Sequence, residues 1–432
     1  MSSARQARRY DLDWLRIGAT FLLFPFHVAK VFDVLPMYHI KNRELVPALD
    51  WLTSFVHWWH MPLFFVLAGW SAHASVATRG TRGFLAERVR RLAIPFATGV
   101  VLLCPIIKWL ELRSGMAITA SGAARLAVPF DESFLAFLPT FFTRVDRFTW
   151  SHLWFLLYLF TFSVLYAPLL ARLMRASRSW IEPSSAGLWL PLVPLVLIQT
   201  TLRLRWPGVQ NLYDDWANVT YYSLFFLLGF VASRWPAWED VIAREWKRAA
   251  LVGLAANAAL TAGWVMLGAA GSRGLAGRPL ATVLFFHALT APAGYGIVIG
   301  LLGFAHVHLA RDGRLRAYLA EASLPIYVLH QAAIVVPGYF LIATDVAVPM
   351  KLALLLVASV ALTLTVYHWV VRPSPLLTVA LGGRRSHPEK NPAAVQLDGR
   401  DHPEQQIGER ESERGVLGAS PWREQMLVQK QA

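Results

Sequence analysis

The side chains best suited to chemistry in this sequence are histidines and arginines set inside long apolar stretches. In the first stretch, ten residues separate Arg16 from His27. On an α-helix this spacing places both side chains on one face, about 16 Å apart along the axis. Arg16 then lies at a membrane interface and His27 near the membrane midplane, where ionisable groups usually face a cavity or a partner. The alternative is a packed histidine bonded to a neighbouring carbonyl group.

A second pair of histidines opens the next apolar stretch. His57 and His60 are three residues apart and face similar directions on a helix, so two imidazoles could share a metal ion. No carboxylate accompanies them at matching depth, and we therefore expect no metal site. Pro62 follows closely and should kink the helix and free backbone carbonyl groups, which could widen a cavity.

A third helix repeats the pattern near the C-terminal end of the apolar region. Tyr327 and His330 are three residues apart and lie near mid-membrane. His27, His60 and His330 thus reach similar depths on three separate helices. This coincidence predicts a shared polar cavity inside the bundle.

The segment Ser151–Leu156 begins another apolar stretch and contributes two further candidates. His152 and Trp154 lie at its start, at the outer membrane interface. His152 is equally compatible with an ordinary interfacial position and with a role at the site. We treat both residues, together with His57, as substrate-contacting or structural.

A basic segment between the second and third apolar stretches carries two arginines that could act together. Arg88 and Arg91 are three residues apart, so both can face one anionic ligand if the segment is helical. Their forked donors suit a phosphate-bearing cofactor such as coenzyme A. The alternative is that they serve membrane topology alone.

The elements that must position these residues are transmembrane helices. Of the 432 residues, 56% are hydrophobic and 16% are charged, whereas soluble domains carry about 25% charged residues. The apolar residues come in blocks of roughly twenty, enough to cross a ~30 Å hydrocarbon core. The composition therefore predicts an all-α, polytopic membrane helix bundle.

About ten transmembrane helices are predicted, with both termini cytoplasmic. The predicted spans cover residues 14–34, 51–73, 92–110, 152–171, 186–202, 219–235, 249–268, 280–306, 319–342 and 350–371. Arginine and lysine clusters precede the first span and follow every second one, as the positive-inside rule requires. This topology accounts for the net charge of +14 without a nucleic-acid partner.

Two regions outside the spans have their own predicted roles. The stretch 134–142, in the longest outer loop, is a predicted re-entrant or surface-lying segment. Residues 1–380 form the predicted transmembrane domain. Residues 381–432 lose all periodicity and are predicted to be a disordered cytoplasmic tail without chemistry.

Five segments of the chain carry a family resemblance. They are Asp13–Arg16 with the spacing from Arg16 to His27, His57 with 61–69, 87–95, Ser151–Leu156 and 323–330. Together, over residues 10 to about 372, they resemble the multi-spanning acyltransferase family 3, and within it the glucan biosynthesis protein C type. The sequence departs from that type at His60, where its members can carry arginine.

The resemblance implies an O-acyltransferase of the bacterial inner membrane. Such an enzyme moves an acyl group from cytoplasmic acyl-CoA, acetyl-CoA or succinyl-CoA, to a hydroxyl of an extracytoplasmic carbohydrate. The family's first-span histidine, regarded as catalytic, corresponds to His27. The Arg-x-x-Arg segment linked to the acyl donor corresponds to Arg88 and Arg91. Which acyl group and which acceptor are used stays open, as does the oligomeric state.

The mechanism expected from these residues is general base catalysis. Neutral His27 takes the proton of a sugar hydroxyl as its oxygen attacks the thioester, and a covalent acyl-histidine relay is the variant. Arg16 would join the arginine pair in holding the CoA phosphates. Tyr327, His330 and His60 would orient His27 or stabilise the oxyanion.

A transporter or exporter of a polysaccharide or small molecule is the rival hypothesis, because intramembrane histidines also relay protons. Such folds often show inverted repeats and paired broken helices. Neither is visible in this sequence. A transporter would move its substrate without consuming acyl-CoA.

Overall fold

The chain folds as a bundle of α-helices, as the sequence predicts. The computed structural model describes residues 9–119, 122–179, 182–267, 275 and 277–383. The helices are α1 (Tyr10–Phe32), α2 (Ala48–Arg88), α3 (Ile94–Leu102), α4 (Cys104–Arg113), α5 (Phe134–Thr143), α6 (Trp154–Leu165), α7 (Ala167–Arg175), α8 (Ser185–Trp189), α9 (Leu192–Leu197), α10 (Arg203–Arg205), α11 (Trp216–Arg234), α12 (Ala237–Met266), α13 (Leu280–His308), α14 (Arg314–Ile342), α15 (Val348–Val366) and α16 (Pro375–Ala380). Two strands, β1 (Met116–Thr119) and β2 (Gly122–Arg125), pair antiparallel.

Short non-α helical segments connect some of these helices. Val89–Ala93, Ile198–Leu202 and Tyr367–Val371 are π-helical, and Ser151–Leu153 is a 3₁₀ turn. The predicted tail from residue 384 onward lies outside the described residues, and the domain boundary at residue 380 stays a prediction.

Eight helical stretches within the described residues are long and apolar enough to cross a membrane. They are Tyr10–Phe32, Ala48–Arg113, Ser185–Arg205, Trp216–Arg234, Ala237–Met266, Leu280–His308, Arg314–Ile342 and Val348–Val371. The pair Ser151–Leu165 and Ala167–Arg175, bent by 54°, makes a ninth if it is one span. Each of the ten predicted spans overlaps one of these stretches. The polytopic helical bundle is therefore confirmed, while the count of ten stays a prediction.

The longest stretch, Ala48–Arg113, folds back on itself at Gly80. Its 66 residues would extend roughly 100 Å as one straight helix. Gly80 adopts φ 66° and ψ 176°, which interrupts the helix. The Ser75 hydroxyl consequently donates to Glu87 Oε2 over 2.5 Å, although twelve residues on a straight helix would separate them by about 18 Å. The two halves of this stretch therefore run in different directions.

Two glycines allow α2 to approach α11 at backbone contact. A Cβ atom at Gly69 would lie 1.9 Å from the Phe226 carbonyl oxygen, and one at Gly229 would lie 2.0 Å from the Val66 carbonyl oxygen. Small residues at such crossings let helices pack closely where lipid provides no hydrophobic driving force. This contact fixes the position of α2, which carries His57 and His60.

The bundle has two chemically different ends. The basic end is where α1 begins; there Arg316 Nη1 lies 2.5 Å from Asp13 Oδ2, and Arg9 Nη1 lies 2.5 Å from Glu239 Oε2. The distal end is where α1 terminates; it carries the loop 33–47, the β1–β2 hairpin and α5. The helix α5 forms at the predicted outer-loop segment, and its Phe137 and Phe141 are fully buried.

Candidate functional site

His27 lies on α1, five residues before the helix ends at Phe32. It is therefore nearer the distal end than the middle of the helix. Its ring centroid is 5.2 Å from that of His330 and 5.7 Å from that of Tyr38, on which it stacks. The side chain is half-buried. Because His330 and Tyr38 are both buried, the part of the His27 ring that contacts them lies in the core of the bundle.

His330 and His152 complete a histidine cluster, a name used here for His27, His152 and His330. The rings of His152 and His330 are 4.9 Å apart. His330 Nδ1 donates to the Tyr327 carbonyl oxygen over 2.5 Å, and His152 Nε2 donates to the Val328 carbonyl oxygen over 2.9 Å. A carbonyl oxygen only accepts, so these nitrogens carry the protons. In the neutral rings, His330 Nε2 and His152 Nδ1 are the acceptors.

One ring nitrogen of each histidine in the cluster has no hydrogen-bond partner among the described residues. His152 Nδ1, His330 Nε2 and His27 Nδ1 are buried and form no hydrogen bond with any described residue. Buried polar atoms are nearly always hydrogen-bonded, and exceptions call for a functional explanation. Of the three histidines, His27 is the one that no described backbone carbonyl holds. The cluster can therefore accept protons from a bound hydroxyl.

His60 lies close to this cluster but is not in ring contact with His27. Its Nε2 donates to the Ala19 carbonyl oxygen of α1 over 2.7 Å, and the side chain is buried. Its ring is 6.3 Å from that of Phe26. The predicted meeting of histidines from three helices is thus observed for His27 and His330, and His152 supplies the third ring.

His57 does not share a centre with His60. It is exposed, and its ring lies 5.2 Å from that of Trp58. Within the described part of the chain, no group of three or more histidine, cysteine, aspartate or glutamate residues is arranged to hold a metal ion.

Tyr327 contacts the histidine cluster directly, whereas Trp154 packs among neighbouring aromatic rings. The Tyr327 hydroxyl donates to the carbonyl oxygen of His152, which ties α14 to the start of α6. Trp154 packs against the rings of Tyr158 and Tyr222, at centroid distances of 5.2 and 5.6 Å. The Tyr327 hydroxyl thus contacts the His152 backbone, and its predicted role in orienting His27 or stabilising the oxyanion stays a prediction.

Arg16 is held at the basic end, eleven residues or about 16 Å along α1 from His27. Its Nη2 donates to Ser71 Oγ over 3.0 Å, and its Nη1 lies 3.3 Å from Asp13 Oδ1. The other oxygen of Asp13 pairs with Arg316. These contacts fix the Arg16 guanidinium before any ligand binds.

Arg88 and Arg91 lie where α2 passes into a π-helical turn. The stretch is helical, as the prediction for a shared ligand requires. Arg88 is buried, with its guanidinium 4.8 Å from the centre of the Phe84 ring. Arg91 is more accessible, and its Nη1 lies 4.0 Å from Glu87 Oε1.

A single face of α2 brings Arg16 and Arg91 towards each other. Ser71 and Ser75 are one helical turn apart on that face. Arg16 bonds Ser71, while Ser75 bonds Glu87, the carboxylate that faces Arg91. The predicted donor-binding arginines thus gather at the basic end around one helix face.

Sequence reasoning missed two residues beside the cluster, Tyr38 and His39, which come from the loop 33–47. Tyr38 stacks on His27, and the His39 ring lies 5.7 Å from that of Tyr38. Loops show no periodicity that would place their side chains. The available signal was Lys108 with Glu111, two charges inside an apolar stretch that require buried partners. Glu111 Oε2 indeed lies 2.6 Å from His39 Nδ1.

Comparisons with known proteins point to one family. A family model described as "Acyltransferase domain" matches residues 9–368. The chain is similar to "Glucans biosynthesis protein C" of Escherichia coli (strain SMS-3-5 / SECEC), with 24% identity over 254 residues, which is 55% of this chain and 61% of the relative. The same values hold for the protein of that name from Escherichia coli O1:K1 / APEC. The chain thus spans less than two thirds of these relatives' length. No solved structure matches it.

Proposed function

Because the chain belongs to the acyltransferase family whose model matches residues 9–368, we propose that it is a membrane O-acyltransferase. The acyl group, of the acetyl or succinyl class, moves from cytoplasmic acyl-CoA to a hydroxyl of an extracytoplasmic carbohydrate. The carbohydrate is suggested by the name of the relatives, "Glucans biosynthesis protein C". The proposed location is the inner membrane of a bacterium.

The proposed base is His27, and one observation carries this choice. His27 contacts the buried rings of His330 and Tyr38, keeps part of its surface accessible, and has a buried Nδ1 without a described partner. The sugar hydroxyl gives its proton to His27 while its oxygen attacks the thioester carbonyl. The carbon–sulfur bond breaks, an ester forms, and the CoA thiolate regains a proton from the imidazolium. A positioned base of this kind contributes about 10²–10⁴-fold to the rate.

The donor would bind at the basic end. Arg16, Arg88 and Arg91 offer forked guanidinium groups, which match the phosphates of coenzyme A. Arg16 lies about 16 Å along α1 from His27. The pantetheine arm would therefore have to extend from the basic end into the bundle to present its thioester.

We further propose ten membrane crossings with both termini in the cytoplasm. The fold-back at Gly80 supports two crossings within Ala48–Arg113, and the bent pair from Ser151 to Arg175 supports one more. The basic end would then face the cytoplasm, where acyl-CoA is made. The distal end would face the acceptor.

Mass spectrometry of surface and periplasmic glycans from strains with and without the gene tests this function. We expect one class of glycan to lose an ester-linked acyl group, whose mass identifies the acyl donor. Purified protein should also consume acyl-CoA in an acceptor-dependent manner. Movement of a glycan across vesicles without acyl-CoA consumption would support the transporter hypothesis instead.

A further inference from the structure

Three side chains from three separate segments meet at the distal end in a linear arrangement. His39 belongs to the loop after α1, Glu111 to α4, and Ser151 to the turn that precedes α6. His39 Nδ1 lies 2.6 Å from Glu111 Oε2, and His39 Nε2 lies 2.8 Å from Ser151 Oγ. The order carboxylate, imidazole, hydroxyl is that of a nucleophilic triad.

The hydrogen-bond partners fix the direction of proton transfer. A carboxylate only accepts, so His39 Nδ1 donates to Glu111. In the neutral ring, Nε2 is then the acceptor, and the Ser151 hydroxyl donates to it. His39 is thus oriented to take the proton of Ser151 when that oxygen attacks an electrophile.

Glu111 is held firmly in its place. It is fully buried, and its Oε1 receives hydrogen bonds from Lys108 Nζ over 2.5 Å and from the Ile118 backbone N–H over 2.7 Å. The Ser114 hydroxyl lies 3.2 Å from the His39 carbonyl oxygen and 2.7 Å from the Glu111 carbonyl oxygen. A carboxylate held in this way keeps the imidazole in one orientation.

The backbone of Ser151 has a strained conformation of the kind that exposes a side chain. Its φ is +46°, in the left-handed region that a non-glycine residue adopts at a cost. Its N–H donates to Thr149 Oγ1 over 2.9 Å, and its side chain keeps part of its surface accessible. Nucleophilic serines often occupy such strained turns, which expose the hydroxyl.

The three residues also adjoin the histidine cluster. Ser151 directly precedes His152, whose ring contacts His330. On the other side, the His39 ring lies 5.7 Å from Tyr38, which stacks on His27. A carbonyl group attacked by Ser151 would therefore lie in the same region as the proposed base.

We propose that Ser151, His39 and Glu111 form a catalytic triad that carries the acyl group as a serine ester between donor and acceptor. This inference rests on the proposed acyltransferase function and divides it into two half-reactions. It gives His39 and His27 one half-reaction each, with His39 as the base for loading and His27 as the base for transfer.

The two half-reactions balance as follows. Ser151 gives its proton to His39 as Oγ attacks the thioester; the carbon–sulfur bond breaks, and His39 returns the proton to the CoA thiolate. The sugar hydroxyl then gives its proton to His27 as its oxygen attacks the serine ester. The carbon–Oγ bond breaks, and the proton taken by His27 is returned to Ser151 Oγ.

A serine-reactive fluorophosphonate tests the triad without any acyl donor. With full-length protein purified in lipid nanodiscs, we expect the probe on the Ser151 peptide, because fluoride leaves as Oγ attacks phosphorus. Ser151→Gly should abolish labelling, and glycine tolerates the positive φ, so the fold is kept. Ser163→Ala, on α6 with its hydroxyl bonded to Leu159, is the matched control and should label as wild type. Labelling of His39→Gln should be slower than that of wild type by about a hundredfold or more.

Acyl-CoA without acceptor then tests the ester itself. Wild type should carry the acyl mass on the Ser151 peptide, and His27→Gln should retain that mass even when acceptor is added.

Absence of probe from Ser151 in folded protein overturns the triad, whatever the acyl-CoA turnover. Probe on Ser151 with no consumption of acyl-CoA by wild type keeps the triad and overturns the proposed donor. Unchanged turnover in folded Ser151→Gly overturns the serine ester while leaving the acyltransferase function intact.

Discussion

The two ends of α1 satisfy their polar groups in opposite ways. At the basic end, Asp13 forms ion pairs with both Arg16 and Arg316, so a carboxylate holds the two guanidinium groups in place. In the histidine cluster, ring nitrogens bond backbone carbonyls or no described group. Ion pairs hold a binding surface in place, whereas neutral imidazoles keep lone pairs that accept protons. The difference supports the proposal that the donor binds at one end and that proton transfer takes place at the other.

The proposed roles of the two regions predict different kinetic effects when their residues are substituted. An interaction used mainly to bind the donor changes KM when it is removed, whereas one used in the transition state changes kcat. Substitutions at the two regions should therefore separate the two constants. The following changes test that separation, beginning with the largest expected effect.

Loss of the proposed base should have the largest effect. In His27→Gln we expect kcat for acyl-CoA consumption to fall about 10²–10⁴-fold, because no base then takes the hydroxyl proton. KM for acyl-CoA should change little if the hydroxyl attacks the thioester directly, and it should fall together with kcat if a serine ester intervenes. His308→Gln, which replaces an exposed histidine of α13, is the control and should keep wild-type turnover. A folded His27→Gln with kcat within a few fold of wild type would refute the assignment.

Loss of an arginine at the basic end should raise the KM for acyl-CoA. Arg91→Ala should raise KM for acyl-CoA about 10- to 100-fold, since a charge-assisted hydrogen bond contributes about 1.5–3 kcal/mol. The neighbouring Arg90 is exposed, so Arg90→Ala is the matched control. Steady-state kinetics would contradict this role if both variants behaved alike.

Loss of Asp13 should weaken the fold at the basic end. Asp13→Asn should lower the free energy of unfolding by about 1–3 kcal/mol, because Arg316 is buried and loses one of its two carboxylate partners. Tryptophan fluorescence during thermal unfolding measures the change. Asp131→Asn removes a carboxylate that is 84% exposed, and it should leave stability unchanged.

The smallest effect is expected in the distal loop. Arg147 donates hydrogen bonds to Glu132 and holds the pKa of that carboxyl below its usual 4.5. A lowered pKa means that the pair stabilises the fold above pH 4.5 and ceases to do so as the pH falls through the folded-state pKa. Since Glu132 is exposed, Glu132→Gln should cost ~1 kcal/mol or less at pH 7. The free energies of unfolding of wild type and Glu132→Gln should become equal in acid. A difference that persisted there would contradict a stabilising ion pair.

The sequence predicts the helices and part of the site because both follow from local patterns. Apolar blocks of about twenty residues locate the stretches that can cross a membrane. The depths of His27, His60 and His330 on their helices predict a shared cavity, and the structure brings the rings of His27 and His330 to 5.2 Å from each other. The five motif segments predict the family, which the match over residues 9–368 confirms.

The rest of the site depends on tertiary contacts that no local pattern encodes. His152 joins the cluster because the Val328 carbonyl oxygen of α14 accepts its hydrogen bond, whereas His60 donates to the Ala19 carbonyl oxygen of α1 instead. His39 comes from a loop without periodicity. Gly80 turns one apolar stretch back on itself through a single left-handed residue. Each of these depends on how helices distant in sequence pack together.

Acyl transfer in reconstituted vesicles tests the central claim most directly. Wild type and His27→Gln are inserted in separate vesicles, labelled acyl-CoA is supplied at the basic end, and glucan at the distal end. We predict label in the glucan as an ester with wild type and at least a hundredfold less with His27→Gln. Equal labelling with the two proteins would contradict His27 as the base, and no labelling with wild type would contradict the proposed reaction.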